Sequence, residues 1–403
     1  MNRLLAHVLP GGLLLLGAVV AFGSAALRDS FAALAPVAPW LVFGAGMLLA
    51  WRFNRSQLVL ALLVLFVADR VLVHVAQARA PLGSTGRVVY TCVALLLPLD
   101  LAAVAWMTER SMRVPLGRWL LGALGVQPLA VALVARPEMT HVAAALEGRL
   151  VAGGGSWTPV SQPAILAFVA ALGLIVAGLL FRQTIVQSSL AWAVVAAFLA
   201  LHAGAPPAST GYLATAGLML VVSLIETSHH MAYDDPLTGL PGRRALDEAL
   251  VRLGGRYAIA MVDIDHFKRF NDEHGHDAGD QLLRMLATKL SQIEGGGRPF
   301  RYGGEEFAVL FPGASAEAAL PHLESLRHTV ERAPFTIRGR GRPRTKPTTP
   351  PPTGRRRRVA VTVSIGVAEP GPGRPEPGEV VKAADAALYR AKHAGRNRTQ
   401  SAG

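Results

Sequence analysis

Cysteine is nearly missing from this chain. The single Cys92 has no partner for an internal disulfide, which excludes a disulfide framework, and its apolar surroundings read as a small core residue rather than a reactive thiol. Charge is scarce too: 17% of the residues are Asp, Glu, Lys or Arg against 51% apolar, a balance that excludes disorder as the dominant state. Lysine is absent from the first 227 residues, which hold 13 Arg and 7 acids. At 403 residues and a mean hydropathy of +0.36, the chain is too long for one ordinary domain and too apolar for a wholly soluble one.

The net charge of +13 suggests nucleic acid until its distribution is read. Residues 228–403 carry 27 basic and 20 acidic side chains, but nine of the basic ones fall between Arg338 and Arg358, where there is no acid. Without that tract the C-terminal half is slightly acidic, so no nucleic-acid partner is expected.

Apolar runs of about 17 to 25 residues, enough to cross about 30 Å of hydrocarbon as helix, occur near 8–27, 36–52, 58–76, 88–107, 116–135, 163–181, 187–204 and 211–226. The last two are split by Ala205-Pro206-Pro207, so the count is seven or eight, with eight favoured. The first run resembles a secretory signal, but further spans follow at once and it reads as retained. With eight spans and the C-terminus inside, seven arginines (Arg3, Arg52, Arg55, Arg110, Arg113, Arg118, Arg182) face the cytoplasm and five (Arg28, Arg79, Arg87, Arg136, Arg149) the other side, a weak positive-inside bias. Asp69, Arg70, His74 and Asp100 lie at membrane depth. Each reads as half of an interhelical or snorkelling pair before it reads as a ligand site. The connection from Arg136 to Pro163, with Gly153-Gly154-Gly155, reads as an exposed loop.

From Tyr233 the texture changes: charges become frequent and apolar runs shorten to strand or helix length. Asp234-Asp235-Pro236-Leu237-Thr238-Gly239-Leu240-Pro241-Gly242 is turn chemistry ahead of a helix over Arg243–Leu253. Tyr257 to Asp265 predicts a buried strand ending in Asp263 and Asp265, two apart and so on one face. An amphipathic helix follows from Gln281 to about Ile293. Phe300 to Phe311 predicts a hairpin turning at Gly303-Gly304, with Glu305 and Glu306 beside the turn. A helix over Ala316–Arg332, strands near Phe335 and over Val359–Val367, and a helix over Val380–His393 complete an α+β sheet covered by helices.

Two strand-end acids, Asp263 and one of Glu305 or Glu306, could hold Mg²⁺ through hard oxygen ligands. Gly303 and Gly304 would let a large anion approach the backbone. Lys268, Lys392 and Arg396 could neutralise phosphates, the last two at i, i+4 near a helix end. Asn271 and Asp280 suit a purine edge. Together these are the parts of a metal-assisted nucleotidyl transfer site.

Each part alone is ordinary: a strand-end acid pair is more often a solvated turn, and Gly-Gly-Glu-Glu-Phe is a serviceable hairpin. Their order is not. Asp263-x-Asp-x-Phe-Lys-x-x-Asn-Asp, His276-x-x-Gly-Asp280, Arg301-Tyr-Gly-Gly-Glu-Glu-Phe307, Thr362-Val-Ser-Ile-Gly-Val-Ala368 and Ala384-Asp-x-Ala-Leu-Tyr-x-Ala-Lys-x-x-Gly-Arg-Asn397, after the Asp-Pro-Leu-Thr-Gly-Leu turn, closely resemble the GGDEF family of diguanylate cyclases.

The apolar runs give a multi-pass α-helical membrane domain (1–227) and a short linker (228–233), and the resemblance implies an α+β palm-like cyclase domain (234–400) carrying a basic Pro/Arg-rich insertion (338–358). It implies condensation of two GTP into cyclic di-GMP by a head-to-head homodimer at the cytoplasmic membrane, with Mg²⁺, or Mn²⁺ in its place. Asp263, the Ile264 carbonyl and Glu305 would hold the metal with Glu306 beside them. Glu305 would also act as base, and Lys268 would stabilise transition-state charge. Asn271 and Asp280 would read guanine, with His276 nearby. Gly303 and Gly304 would admit the substrate, and Lys392 and Arg396 would clamp its phosphates.

Three departures stand out. Gly242 replaces the usual Asn, which bears on turn stability. The insertion is a solvated loop before it is a contact for anionic lipid headgroups. The Arg-x-x-Asp pair that grips inhibitory product falls on Glu294 and Gly297 and is absent. Two other function classes compete: a catalytically inactive module binding GTP or cyclic di-GMP, against which the intact acid set argues, and a transporter with a regulatory tail, which would need polar groups in more than two spans.

Overall fold

The computed structural model describes residues 2–77, 84–107, 115–148, 157–333, 335–336, 358–371 and 376–402. Apart from Arg358, the 338–358 insertion lies outside the described residues, as do Gly153–Gly155 and Arg79, Arg110, Arg113 and Arg149. The backbone divides into two units, Met1–Ser228 and His229–Gly403.

The first unit is helical: α1 (Asn2–Gly23), α2 (Ala25–Ala32), α3 (Gly46–Arg52, preceded by a π-helical turn), α4 (Ser56–Gln77), α5 (Ser84–Trp106), α6 (Pro115–Val134), α7 (Thr140–Leu146), α8 (Gln162–Arg182), α9 (Ile185–Ala203) and α10 (Ala208–Tyr233). Each of the eight apolar stretches carries helix. Among the described residues, however, only α4, α5, α8, α9 and α10 are long and apolar enough to cross a membrane, with a sixth if the sharply bent pair α1 and α2 counts as one. The stretch at 36–52 yields the shorter apolar helix Trp40–Arg52, while that at 116–135 lies in the 20-residue α6, of which Leu121–Val134 is an apolar part. Residues 228–233, expected as a linker, are helical and end α10.

Helix α5 packs on α4, α8 and α9, and α1 packs on α9. Leu62, Leu65, Leu101, Ile175, Leu190 and Leu201 are fully buried. Helices in hydrocarbon gain little from apolar contact alone, so polar links between them matter. The Tyr90 hydroxyl donates to the Leu201 carbonyl at 2.6 Å, Gln187 Nε2 to the Ala105 carbonyl at 2.6 Å, and Trp192 Nε1 to the Val8 carbonyl at 2.9 Å. Asp69 is paired with its neighbour Arg70, whose guanidinium also lies over the Trp40 and Phe66 rings. Asp100 accepts a hydrogen bond from Gln127 Nε2 of α6 at 2.7 Å.

The second unit is built on β1 (Tyr257–Ile264), β2 (Arg298–Arg301), β3 (Glu306–Pro312), β6 (Val363–Ala368) and β7 (Thr399–Ser401), in the order β2-β3-β1-β6-β7. All pairs are antiparallel except β6 with β7. A separate pair joins β4 (Phe335–Thr336) to β5 (Arg358–Val359), so the single strand expected over Val359–Val367 is two. Helices are α11 (Arg243–Arg252), α12 (Phe267–His274), α13 (His276–Leu290), α14 (Ala316–Glu331) and α15 (Pro377–His393).

Strand β1 is buried on both faces, and its period of two sorts its side chains. Ala258, Ala260, Val262 and Ile264 pack with α12, α13 and α14 through Phe270, Leu283 and Leu323. Tyr257, Ile259 and Met261 pack with α11 and α15 through Leu246, Leu250, Val380 and Leu388. Phe307 and Phe311 on β3 are fully enclosed, each contributing about 1.5 to 3 kcal/mol. By the same alternation Asp263 follows Met261 onto the α15 face, which places the site.

Candidate active site

Asp263 is the last inward residue of β1, 3% exposed and opposite Glu306 in the β1–β3 register. Because it shares a face with α15, the Lys392 ammonium of that helix reaches its carboxylate at 2.8 Å. Burial pushes the Asp263 carboxyl up, with Glu306 and Asp265 adding to the rise, while Lys392 pulls it down. Glu305 is raised as well, by burial first and then by the Asp263 charge, with Lys392 opposing. Asp263, Glu305, Glu306 and Lys392 are therefore electrostatically coupled, with one ammonium offsetting the carboxylates.

The hairpin that carries the glutamates closes with the Tyr302 and Gly303 amides donating to the Glu306 carbonyl at 2.9 and 3.1 Å. A Cβ on Gly304 would meet nothing within 4 Å, so its backbone lies open to an approaching group, whereas one on Gly303 would sit 3.2 Å from the Glu306 carboxylate. Arg301 braces the turn: Nη2 donates to the Gly304 carbonyl at 2.7 Å and Nη1 to Asp235 at 2.7 Å. Asp235 also accepts from the Thr238 amide and hydroxyl. Burial would raise its carboxyl, but the Thr238 and Arg301 bonds overcome that and hold it below the usual range. Arg243 lies over the Tyr302 ring at 4.7 Å, and a cavity of about 390 Å³ opens among Asp235, Arg243, Arg301, Tyr302, Gly303 and Gly304.

Asp265 does not join the open cluster. It accepts from the Thr362 and Ser364 hydroxyls at 2.7 Å each and from the Asn397 amide at 3.1 Å, tying the chain after α15 to the end of β1. The buried Arg327 adds a bond to the Asn397 side chain at 2.8 Å. Asp235, Arg301, Asp265 and Asn397 are thus brace residues whose roles the motif spacing did not reveal, although all four stand inside the motifs.

The expected helix from Gln281 starts instead at His276. Gly275, at φ +82°, ends α12 and starts α13, and the polar first turn hides the apolar period. Lys268 is exposed in the first turn of α12, and His276 is exposed where α13 begins. Asn271 faces Gly279 closely, and its Oδ1 is buried without a hydrogen-bond partner while Asp280 stands half-buried one residue on. An orphaned acceptor there calls for a donor from outside the chain. Lys392 and Arg396 do not share a helix face: α15 ends at His393, and Arg396 is exposed in a left-handed turn at φ +61°.

Among the described residues no group of three His, Cys, Asp or Glu side chains converges as a ready metal cluster. The donor set still fits a hard divalent cation of the Mg²⁺ kind, which takes one or two carboxylates and completes its shell with substrate phosphate and water. Carboxylates raised first by burial and then by one another's charge, with a single ammonium to offset them, are what such a cation would relieve.

The family model described as "Diguanylate cyclase, GGDEF domain" matches residues 232–398. Diguanylate cyclase DgcP of Pseudomonas aeruginosa is 40% identical over 189 residues, 45% of this chain and 25% of that protein. Response regulator PleD of Caulobacter vibrioides is 38% identical over 182 residues, 43% of this chain and 37% of that protein. A crystal structure of the coiled coil and GGDEF domain of DgcB from Caulobacter crescentus, in complex with c-di-GMP, is 34% identical, covering 47% of this chain and 95% of that one at a TM-score of 0.41. The chain spans between a quarter and two fifths of the length of the two curated relatives.

Proposed function

Residues 232–398 are a GGDEF domain of the diguanylate cyclase kind, and from that premise we propose that the chain is a membrane-bound diguanylate cyclase, condensing two GTP into cyclic di-GMP and two pyrophosphates. The observation that carries the reading is the cluster of Asp263, Glu305 and Glu306 around Lys392.

In the reaction a 3′-hydroxyl oxygen attacks the α-phosphorus of the other nucleotide, the bond to the β-phosphate oxygen breaks, and the hydroxyl proton must be taken. Glu305 would take it: its carboxyl, raised by burial and by the Asp263 charge, is a stronger base than an ordinary glutamate. A divalent cation held by Asp263, the Ile264 carbonyl and Glu305, with Glu306 beside them, would supply charge neutralisation on the phosphates. Lys392, paired with Asp263, would also meet the phosphates, and the exposed Arg396 and Lys268 add positive charge. Gly304 admits the triphosphate along bare backbone, and the orphaned Asn271 Oδ1, with Asp280 and His276, suits the donor-rich edge of guanine. One domain supplies one nucleotide, so the working species is a homodimer whose sites face each other. The antiparallel centre of the sheet, with acids at one end, supports the palm-like reading.

The substrate is cytosolic, so the second unit lies on the cytoplasmic side of the cell's inner membrane. Incubating membranes that hold the full chain with GTP and Mg²⁺ should yield cyclic di-GMP; GTP bound without turnover would instead establish the inactive binding module.

A further inference from the structure

Between α4, α5 and α6 of the first unit lies a cavity of about 420 Å³ whose chemistry the cyclase reading leaves unused. Its walls are aliphatic, drawn from Leu63, Val67 and Val71 of α4, Val89 and Val93 of α5 and Leu121 of α6. From Val89 to Asp100 it follows α5 for about 16 Å, at 1.5 Å per residue. Its lining has only two polar side chains, Asp100 and Gln127, which are hydrogen-bonded to each other at 2.7 Å.

That polar end is rich in acceptors, and its one side-chain donor group is the Gln127 amide. Asp100 is 9% exposed and no Lys, Arg or His stands among the residues lining the cavity. Gln127 Nε2 directs one of its two protons to Asp100. Pro98 within α5 and Pro128 within α6 lack the amides that would bond the carbonyls of Ala94 and Leu124, four residues back, and Leu124 is itself a lining residue. A carboxylate at membrane depth costs several kcal/mol or so unless it is paired. Aliphatic walls select a hydrocarbon tail, and the end beside Asp100 selects a head that donates hydrogen bonds and carries positive charge.

We propose that this cavity binds an amphiphile with a protonated amine head and a linear alkyl tail, the ammonium paired with Asp100. The site stands apart from the nucleotide chemistry and can be tested without it. Full-length protein in nanodiscs should retain radiolabelled dodecylamine above empty discs, and dodecanol and dodecanoate should compete at least about tenfold less well than unlabelled amine. Asp100→Asn, nearly isosteric, should weaken amine retention by on the order of tenfold. Gly125→Leu should abolish it, since Gly125 lines the cavity and a Cβ there meets nothing within 4 Å, so the larger side chain fills the space without strain. Competition by dodecanol or dodecanoate equal to that of the amine, or wild-type retention in either variant, would overturn the proposal. Because the readout is binding, an inactive cyclase unit would leave the outcome unchanged.

Discussion

Glu305 carries the heaviest expectation at the scale of single residues. Glu305→Gln keeps the shape but can neither take a proton nor serve as an anionic ligand, so cyclic di-GMP synthesis should fall by orders of magnitude; retention of more than about a tenth of the rate, a barrier change under about 1.4 kcal/mol, would remove Glu305 from the mechanism. The same residue sets a pH dependence. Its carboxyl is raised by burial and by Asp263, so the wild-type rate should fall on acidification with a midpoint above the ordinary glutamate value. For folding the sign is opposite: a raised carboxyl stabilises the fold fully below its unfolded pKa, and that contribution is lost as pH rises through the folded value. Above that folded value the ionised Glu305 therefore costs stability, and there the Gln variant should melt no lower than wild type, measured by calorimetry on the purified protein. Individual roles were partly legible in the residues. Asp263 and Glu305 announce themselves as acids beside a strand end and a glycine turn. Asp265 looks the same on paper, yet three donors from Thr362, Ser364 and Asn397 make it a brace, and nothing local distinguishes it because those donors come from 97, 99 and 132 residues away.

Elements were legible where burial enforces a period. Strand β1 and the β2–β3 hairpin stand out because one is an unbroken apolar run and the other turns on paired glycines. Helix α12 and strand β7 did not. The first is only eight residues long, and the second reads Thr399-Gln400-Ser401, a polar edge whose identity comes from parallel pairing with β6. The contact of α15 with β6 offers a sharp test. A Cβ on Gly366 would overlap backbone atoms of Ala384, Ala387 and Leu388, so the glycine permits the helix to rest directly on the strand. Gly366→Ala must push α15 outward, and Lys392 rides on that helix. Destabilisation of about 1 to 3 kcal/mol is expected, as for overpacking elsewhere, together with loss of activity beyond what the melting shift accounts for. Wild-type melting and rate would show that the helix does not need this close approach.

For the whole molecule, the two expectations concern assembly and regulation. If one domain is half of a working site, dilution of the purified protein into excess detergent micelles should lower its specific activity, and reconstitution into vesicles should blunt the effect because both copies then share a surface. Activity independent of concentration in a demonstrably monomeric preparation would count against the paired mechanism. Product control should be weak. Glu294, where a phosphate-gripping arginine would stand, lines a small cavity with Lys289 and His322, and a Cβ on Gly297 would press to 2.8 Å from the Phe311 ring, so an aspartate has no room there. Initial rates at rising cyclic di-GMP should show no submicromolar inhibition that persists in excess GTP. The change of texture near Tyr233 lies close to the boundary between the two units, whereas the number of spans was not legible: the apolar run at 36–52 looks sufficient as composition but folds into a shorter apolar helix.

All six tryptophans of the chain precede residue 228, among them Trp192, whose indole is hydrogen-bonded to the Val8 carbonyl, and Trp157, which lies against Phe198. The nucleotide-handling unit is therefore dark under excitation that selects indole. Emission from the native protein reports on the helical unit alone, and a single tryptophan introduced near the Gly303-Gly304 turn would be the only emitter of its unit. The native chain thus lets events among the helices be followed alone, and a variant with its six native tryptophans replaced and one placed at that turn would follow nucleotide arrival alone.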